Sequence, residues 1–267
     1  MPHGESWLTM LLVKLGVDLG HLGRLFSAPF GKEGLSWYAH EPIGLDHVLT
    51  SLLVLALTTG LAAFAYSKVK DASKAIVPDE TLTVRTAVEI VVGAIYGLMS
   101  DILGPKAAKF FLPLIGACAF FILFSNAIGL VPGFAPPTGK MNTTLALGGV
   151  IFVTTHVYGV KENGLGYFKH FFGPILKWYA LPLMLLMLGI ELISHIARPL
   201  SLAIRLMANM AADHMVVTIF LALIPGVPFL VPVPVMLLGT IVVIVQALVF
   251  CLLSTVYIAL AIAHEEH

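Results

Sequence analysis

The chain has 267 residues, of which 58% are hydrophobic and 11% charged, with a formal net charge of zero. A soluble domain carries roughly 25% charged residues, so a soluble fold is excluded and a multi-span, all-α integral membrane protein is expected. Zero net charge points to no nucleic-acid partner, and the two cysteines, Cys118 and Cys251, sit in apolar runs that imply neither a disulfide framework nor a metal site.

The opening MPHGESWLTMLLVKLG has acidic Glu5, no basic leading region and no small-residue cleavage site, unlike a secretory signal. Residues 1–44 alternate short apolar and polar pieces and are expected to form an extramembrane or interfacial segment. Residues 45–267 are expected to form a single membrane domain. An apolar helix needs ~20 residues to cross a bilayer. Such runs extend from about Leu45 to Tyr66, Phe110 to Val131, Thr143 to Val160, Trp178 to Pro225 and Val235 to Ala263. Five membrane-embedded helices are therefore expected. The second ends at the Pro/Gly stop VPGFAPP. Between the first two, Val84, Val88, Val91, Ile95, Leu98 and Ile102 recur at helical spacing, with Arg85 and Glu89 on another face. This reads as an amphipathic helix at the interface. Its Gly93-x-x-x-Gly97 pattern offers a place for close helix packing.

Lysine and arginine set the orientation. Lys68, Lys70, Lys74, Arg85, Lys106 and Lys109 follow the first span, and Lys161, Lys169 and Lys177 follow the third. The loop after the second span has Lys140 and the loop after the fourth has none. The N-terminus is expected outside and the C-terminus in the cytoplasm. The closing HEEH lacks the two-residue spacer of a zinc-protease helix and reads as a solvated end.

From Trp178 to Leu223 the fourth run is about 46 residues long, roughly 69 Å as a helix at ~1.5 Å per residue. A hydrocarbon core is ~30 Å thick. It must tilt, bend at Pro182 or Pro199, or run partly in the membrane plane. It also carries Arg198, Arg205, Asp213 and His214. An arginine at mid-bilayer costs ~2.5–3.5 kcal/mol on insertion scales and needs a partner in protein or water. Glu191, Ser194, Arg198, Ser201, Arg205, Asn209 and Ala212 lie within about 40° of one line on this helix. Asp213 is ~80° off the line and His214 nearly opposite. The fifth run has a matching face of Gly239, Gln246, Phe250, Leu253 and Tyr257. In an antiparallel hairpin, paired residue numbers add to a nearly constant value. That rule sets Gln246 opposite Arg205, Tyr257 opposite Ser194, and Gly239 opposite Asp213, in a long tilted hairpin of the last two helices.

The segment RPLSLAIRLMANMAADHM (198–215), followed by VQALVFCLLSTVYIALA, resembles subunit a of the membrane sector of F-type rotary ATP synthases. LFSNAIGLVPG (123–133) and KMNTTLAL (140–147) resemble the middle portion of that family. The resemblance covers about residues 40–267. It implies a stator subunit in the inner membrane of a bacterium, an organelle remaining open. The implied partners are a ring of c subunits, the peripheral stalk b subunits and, through the complex, the F1 head. No cofactor or metal is implied. Arg205 matches the family's essential arginine, which separates two aqueous half-channels and drives deprotonation of the ring carboxylate. Outside it the resemblance places Asn209, Asp213 and His214, with Asn126 and Asn142 as channel lining or caps. On the inner side it places Glu191, Ser194 and Tyr257, with Gln246 and Gly239 as helix-pair partners. Proton and sodium both remain open as the ion. Three positions depart from the family. Gly239 stands where His or Glu is usual, Asp213 where a small residue is usual, and Gly129 where some members have Asp.

Two other classes compete. A secondary transporter would show inverted repeats with broken helices in both halves, and no repeat is visible. A structural anchor would show no aligned polar stripe. The chain has no G-x-x-x-x-G-K-[ST] loop to cradle a nucleotide phosphate, so it is not expected to be an enzyme on its own.

Overall fold

The computed structural model describes residues 7–15, 46–69, 83–131, 134–164, 166–167, 181–223 and 232–262. These residues are helical apart from short connections, with no strand among them. The helices are α1 (Trp7–Lys14), α2 (Asp46–Val69), α3 (Val84–Leu103), α4 (Pro105–Gly129), α5 (Met141–Asn163), α6 (Leu181–Leu223) and α7 (Pro232–Ile262). A 3-10 turn, Pro137–Gly139, precedes α5. Most of residues 1–44, the basic positions Lys70, Lys74, Lys169 and Lys177, Pro225 and the closing HEEH lie outside the described residues.

Six of the helices are long and apolar enough to cross a membrane. Five correspond to the expected runs. The sixth is α3, the helix read as interfacial, which meets the same test of length and apolarity. Its N-cap is Thr83, whose hydroxyl accepts from the Thr86 N–H at 3.3 Å. Arg85 and Glu89 pair at 2.7 Å along one face. α3 ends at Gly104, whose φ of 78° suits glycine alone, and Pro105 opens α4 where its missing N–H is harmless. This single-residue joint folds α4 back on α3. Gly93 and Gly97 face open space, so the expected close approach at this pair is not made within the chain. The buried face of α3 is instead Ile95 and Met99.

α7 is the central post, contacting α3, α4, α5 and α6. One core joins Ile95, Met99, Phe111, Ile115, Cys251 and Ile258, from α3, α4 and α7. A second joins Cys118, Ile122, Ile151, Leu202, Leu206, Ala247 and Phe250, from α4 to α7. In lipid, packing of this kind, rather than exclusion of water, holds helices together. The close approach occurs where α5 meets α6. A Cβ on Gly148 would lie 2.9 Å from the Pro199 carbonyl oxygen. α6 runs through Pro199 as one helix of 43 residues, ~65 Å long. Pro182 sits at its start, where proline is tolerated.

Candidate functional site

One side of α6 is held by the fold. Leu202, Ala203, Leu206 and Met210 are buried against the other helices. Arg205 lies on the other side and is exposed. Ala197, Ser201, Ala208, Ala211 and Ala212 are exposed around it, so the arginine rises from a shallow, small-residue strip. Among the described residues Arg205 has no hydrogen bond and no ion pair. A guanidinium on an apolar helix with no internal partner needs an external one.

The register of the α6–α7 hairpin differs from the expected one. Gln246 is buried, and its Oε1 accepts from Asn209 Nδ2 at 2.9 Å. Arg198, rather than Ser194, lies over the Tyr257 ring, at 5.9 Å. Both contacts are displaced by one helical turn from Arg205/Gln246 and Ser194/Tyr257. The reason is geometric. Residues one turn apart share a face, so a helical-wheel pattern identifies the face and leaves the axial position open by a turn.

Toward the Leu223 end, Asp213 is half-buried, and one carboxylate oxygen is buried with no hydrogen-bond partner. Asn126 is buried and accepts from the Thr138 hydroxyl at 2.5 Å, tying the end of α4 to the 3-10 turn. Ser125 beside it carries a buried hydroxyl without a partner. Asn142 is exposed in the first turn of α5 and does not cap it, since the N-cap is Lys140. It lines an open cavity with His47, Ser51 and Thr143. Gly239 is buried, and a Cβ there would lie 2.7 Å from Leu130 Cδ2. The room beside Gly239 is therefore filled by Leu130. At Gly129 a Cβ would meet Met210 Cε at 2.6 Å and Pro136 Cβ at 2.7 Å, which accounts for glycine there. The backbone of His214 is helical, and its side chain lies outside the described set.

Toward the Leu181 end, Glu191, Ser194 and Tyr257 are half-buried. They belong to a larger cluster that the sequence reading did not assemble. His195 is buried; its Nδ1 lies 3.1 Å from the Glu191 carbonyl oxygen and 3.4 Å from Glu191 Oε1. Its Nε2 lies 3.5 Å from the Tyr167 hydroxyl. The His156 ring of α5 stands edge-on to it, centroids 5.1 Å apart. Burial, the largest cause, pushes the Tyr167 phenol above its ordinary pKa; Arg198 opposes this and Glu191 adds to it. Tyr167 thus keeps its proton at neutral pH. A small cavity between α5, α6 and α7 is lined by His156, His195, Arg198 and Tyr257, with Thr155 and Pro199. The one available sequence signal was His195 standing one turn after Glu191. His156 and Tyr167 come from elsewhere in the chain and reach the site through the α5–α6 packing.

The sequence profile described as ATP synthase A chain matches residues 48–259. The chain is 41% identical over 268 residues to ATP synthase subunit a of Sorangium cellulosum, covering 100% of both. It is 44% identical over 223 residues to ATP synthase subunit a 1 of Syntrophotalea carbinolica, covering 84% of this chain and 88% of the relative. It is 47% identical over 170 residues to ATP synthase subunit a of Geobacter sulfurreducens, covering 64% and 70%.

Proposed function

This chain belongs to the ATP synthase A chain family, and from that premise we propose that it is the multi-pass stator subunit that guides protons across the membrane against a ring of c subunits. Two offset aqueous half-channels meet the ring, and Arg205 stands between them. The observation that carries this reading is the exposed Arg205, without a hydrogen bond or ion pair among the described residues, on a strip of small residues. A passing ring carboxylate is the external partner it requires. At ~4 Å and an effective dielectric of ~20 the two attract by ~4 kcal/mol, about three pKa units. A ring carboxylate that reaches Arg205 releases its proton. One that faces lipid keeps it, because a bare charge there is costly.

The positive-inside pattern puts the N-terminus outside and the C-terminus in the cytoplasm, with α3 at the interface and five crossings. The Leu223 end of α6 then faces outward. Asn209, Asp213 and His214 serve the outer path, with Asn126 and Asn142 near its mouth. Glu191, Ser194 and Tyr257 serve the inner path. Gln246 holds Asn209, and through it the α6–α7 pair, beside the arginine. Asn126 acts by bracing the 3-10 turn, since its side chain is taken by Thr138. The peripheral stalk b subunits and the F1 head complete the assembly, in a bacterial inner membrane.

The test is Arg205→Ala in the whole complex. ATP-driven pumping and ATP synthesis should be lost while the complex still assembles. Arg205→Lys should also be poor, because an ammonium lacks the planar, weakly hydrated fork. Normal proton-coupled synthesis by an assembled Arg205→Ala complex would sink the reading.

A further inference from the structure

We propose that His195 is the inner-side proton-exchange group of this chain, linking the cavity at the α5–α6–α7 junction to the carboxylate of Glu191. This rests on the proposed function and extends it to residues on two further segments, His156 and Tyr167.

The geometry supplies both halves of a transfer. His195 Nδ1 bonds the Glu191 carbonyl oxygen at 3.1 Å and lies 3.4 Å from Glu191 Oε1, and its Nε2 lies 3.5 Å from the Tyr167 hydroxyl. The imidazole thus stands between an acid and a hydroxyl rather than filling an apolar gap. Glu191 is the more open of the pair, its side chain 29% exposed against 11% for His195. The relay assigns it the exchange with water. Pro199 has no N–H to give, so the His195 carbonyl loses its helical donor and remains an acceptor at the cavity wall. The His156 ring stands edge-on to that of His195, centroids 5.1 Å apart, so a second imidazole borders the same cavity.

Among the described residues the groups around His195 come from several elements. Glu191 and Arg198 flank it on α6 with opposite charge. α5 contributes His156, the segment after α5 contributes Tyr167, and α7 contributes Tyr257, whose ring Arg198 overlies. Tyr158 of the same region packs instead on Phe110 and Phe111. In one transfer the neutral ring, hydrogen on Nδ1, accepts a proton at Nε2 from the Tyr167 hydroxyl, which takes one in turn from the cavity side. The imidazolium gives its Nδ1 proton to the Glu191 carboxylate, and Glu191 releases it to water. One proton enters and one leaves. The ring is left with its hydrogen on Nε2 and rotates to return to its starting tautomer. Reversed, the same steps feed protons toward Arg205, ~15 Å further along α6.

The experiment uses inverted vesicles carrying the whole ATP synthase, whose external medium bathes the cytoplasmic face. ATP-driven proton pumping is measured per assembled complex between about pH 5 and 8. His195→Gln and Glu191→Gln should each lower the rate by about a hundredfold, the lower end of what a positioned proton-transfer group contributes. His195→Gln should also remove the imidazole-range step from the pH profile. Arg205→Ala runs beside them. If Arg205→Ala pumps normally, the proposed function fails. If it abolishes pumping while His195→Gln keeps the wild-type rate and pH profile, the relay alone is overturned. A purely structural His195 would lower the amount of complex and leave the profile of the assembled fraction unchanged, which also overturns the relay. Should His195→Gln fail to assemble, Glu191→Gln decides: a wild-type rate and profile would overturn it.

Discussion

The one-turn register of the α6–α7 hairpin can be measured directly with paired cysteines. The structure sets residue 209 against 246 and residue 198 against 257. The alternative, read from helical faces, sets 205 against 246 and 194 against 257. The two registers differ by about four residues, or ~6 Å along the helix axis at ~1.5 Å each. Packed helices lie ~8–10 Å apart. A pair in register is therefore separated by about that distance, and a pair one turn out by ~10–12 Å. A disulfide needs Cα atoms within ~7 Å, so oxidation alone reports brief close approaches. A short bis-thiol linker that reaches the nearer distance and not the farther one makes the contrast sharp. Native Cys118 and Cys251 are both buried and set the background. Asn209→Cys with Gln246→Cys, and Arg198→Cys with Tyr257→Cys, should link several-fold faster than the displaced pairs. Faster linking of 205/246 and 194/257 would refute the structural register. It would also return Gln246 to the side of the arginine.

Three further outcomes are expected. Thr138→Val leaves the buried Asn126 carbonyl oxygen without its donor, at a cost of ~1–3 kcal/mol; the half-life of the detergent-solubilised complex should shorten, while Thr138→Ser stays near wild type. Gly148→Val drives a side chain into the Pro199 carbonyl, whereas Gly149 has open space; overpacking of this sort costs about 1–3 kcal/mol, so Gly148→Val should deplete assembled complex in a quantitative blot and Gly149→Val should not. Asp213→Gly should strongly reduce proton flux in vesicles, and Gly239→His should restore it only when Leu130→Ala makes room; no rescue even with the change at Leu130 would show that the two helices do not share one site.

Much of the architecture was legible without coordinates. Apolar runs near the length of a bilayer announce membrane helices, because lipid forces every backbone polar group to be satisfied within its own segment. The overlong fourth run, with its Arg205, Asn209 and Glu191 stripe, pointed to the functional helix for the same reason. Charge in lipid has to be accounted for. The outward placement of Arg205 was not legible: the sequence reading set it against Gln246, and in the structure it is exposed, about 100° round the helix from the centre of the buried Leu202, Leu206 and Met210.

What the sequence could not supply is distance between segments. A wheel repeats every turn, so it assigned Gln246 to the correct face and to a neighbour one turn away from Asn209. Glycine patterns were no better guide. Gly93 and Gly97 have the spacing of a packing motif and face open space, while Gly148, without a partner glycine, receives the Pro199 carbonyl. The space beside Gly239 looked open in sequence and is occupied by Leu130. The His195, His156 and Tyr167 cluster shows the limit most clearly. His156 stands in an apolar run, Tyr167 in a polar connection and His195 among the charges of the fourth run. Only the packing of α5 on α6 brings them within contact, because the angle and height at which two helices cross depend on every side chain between them.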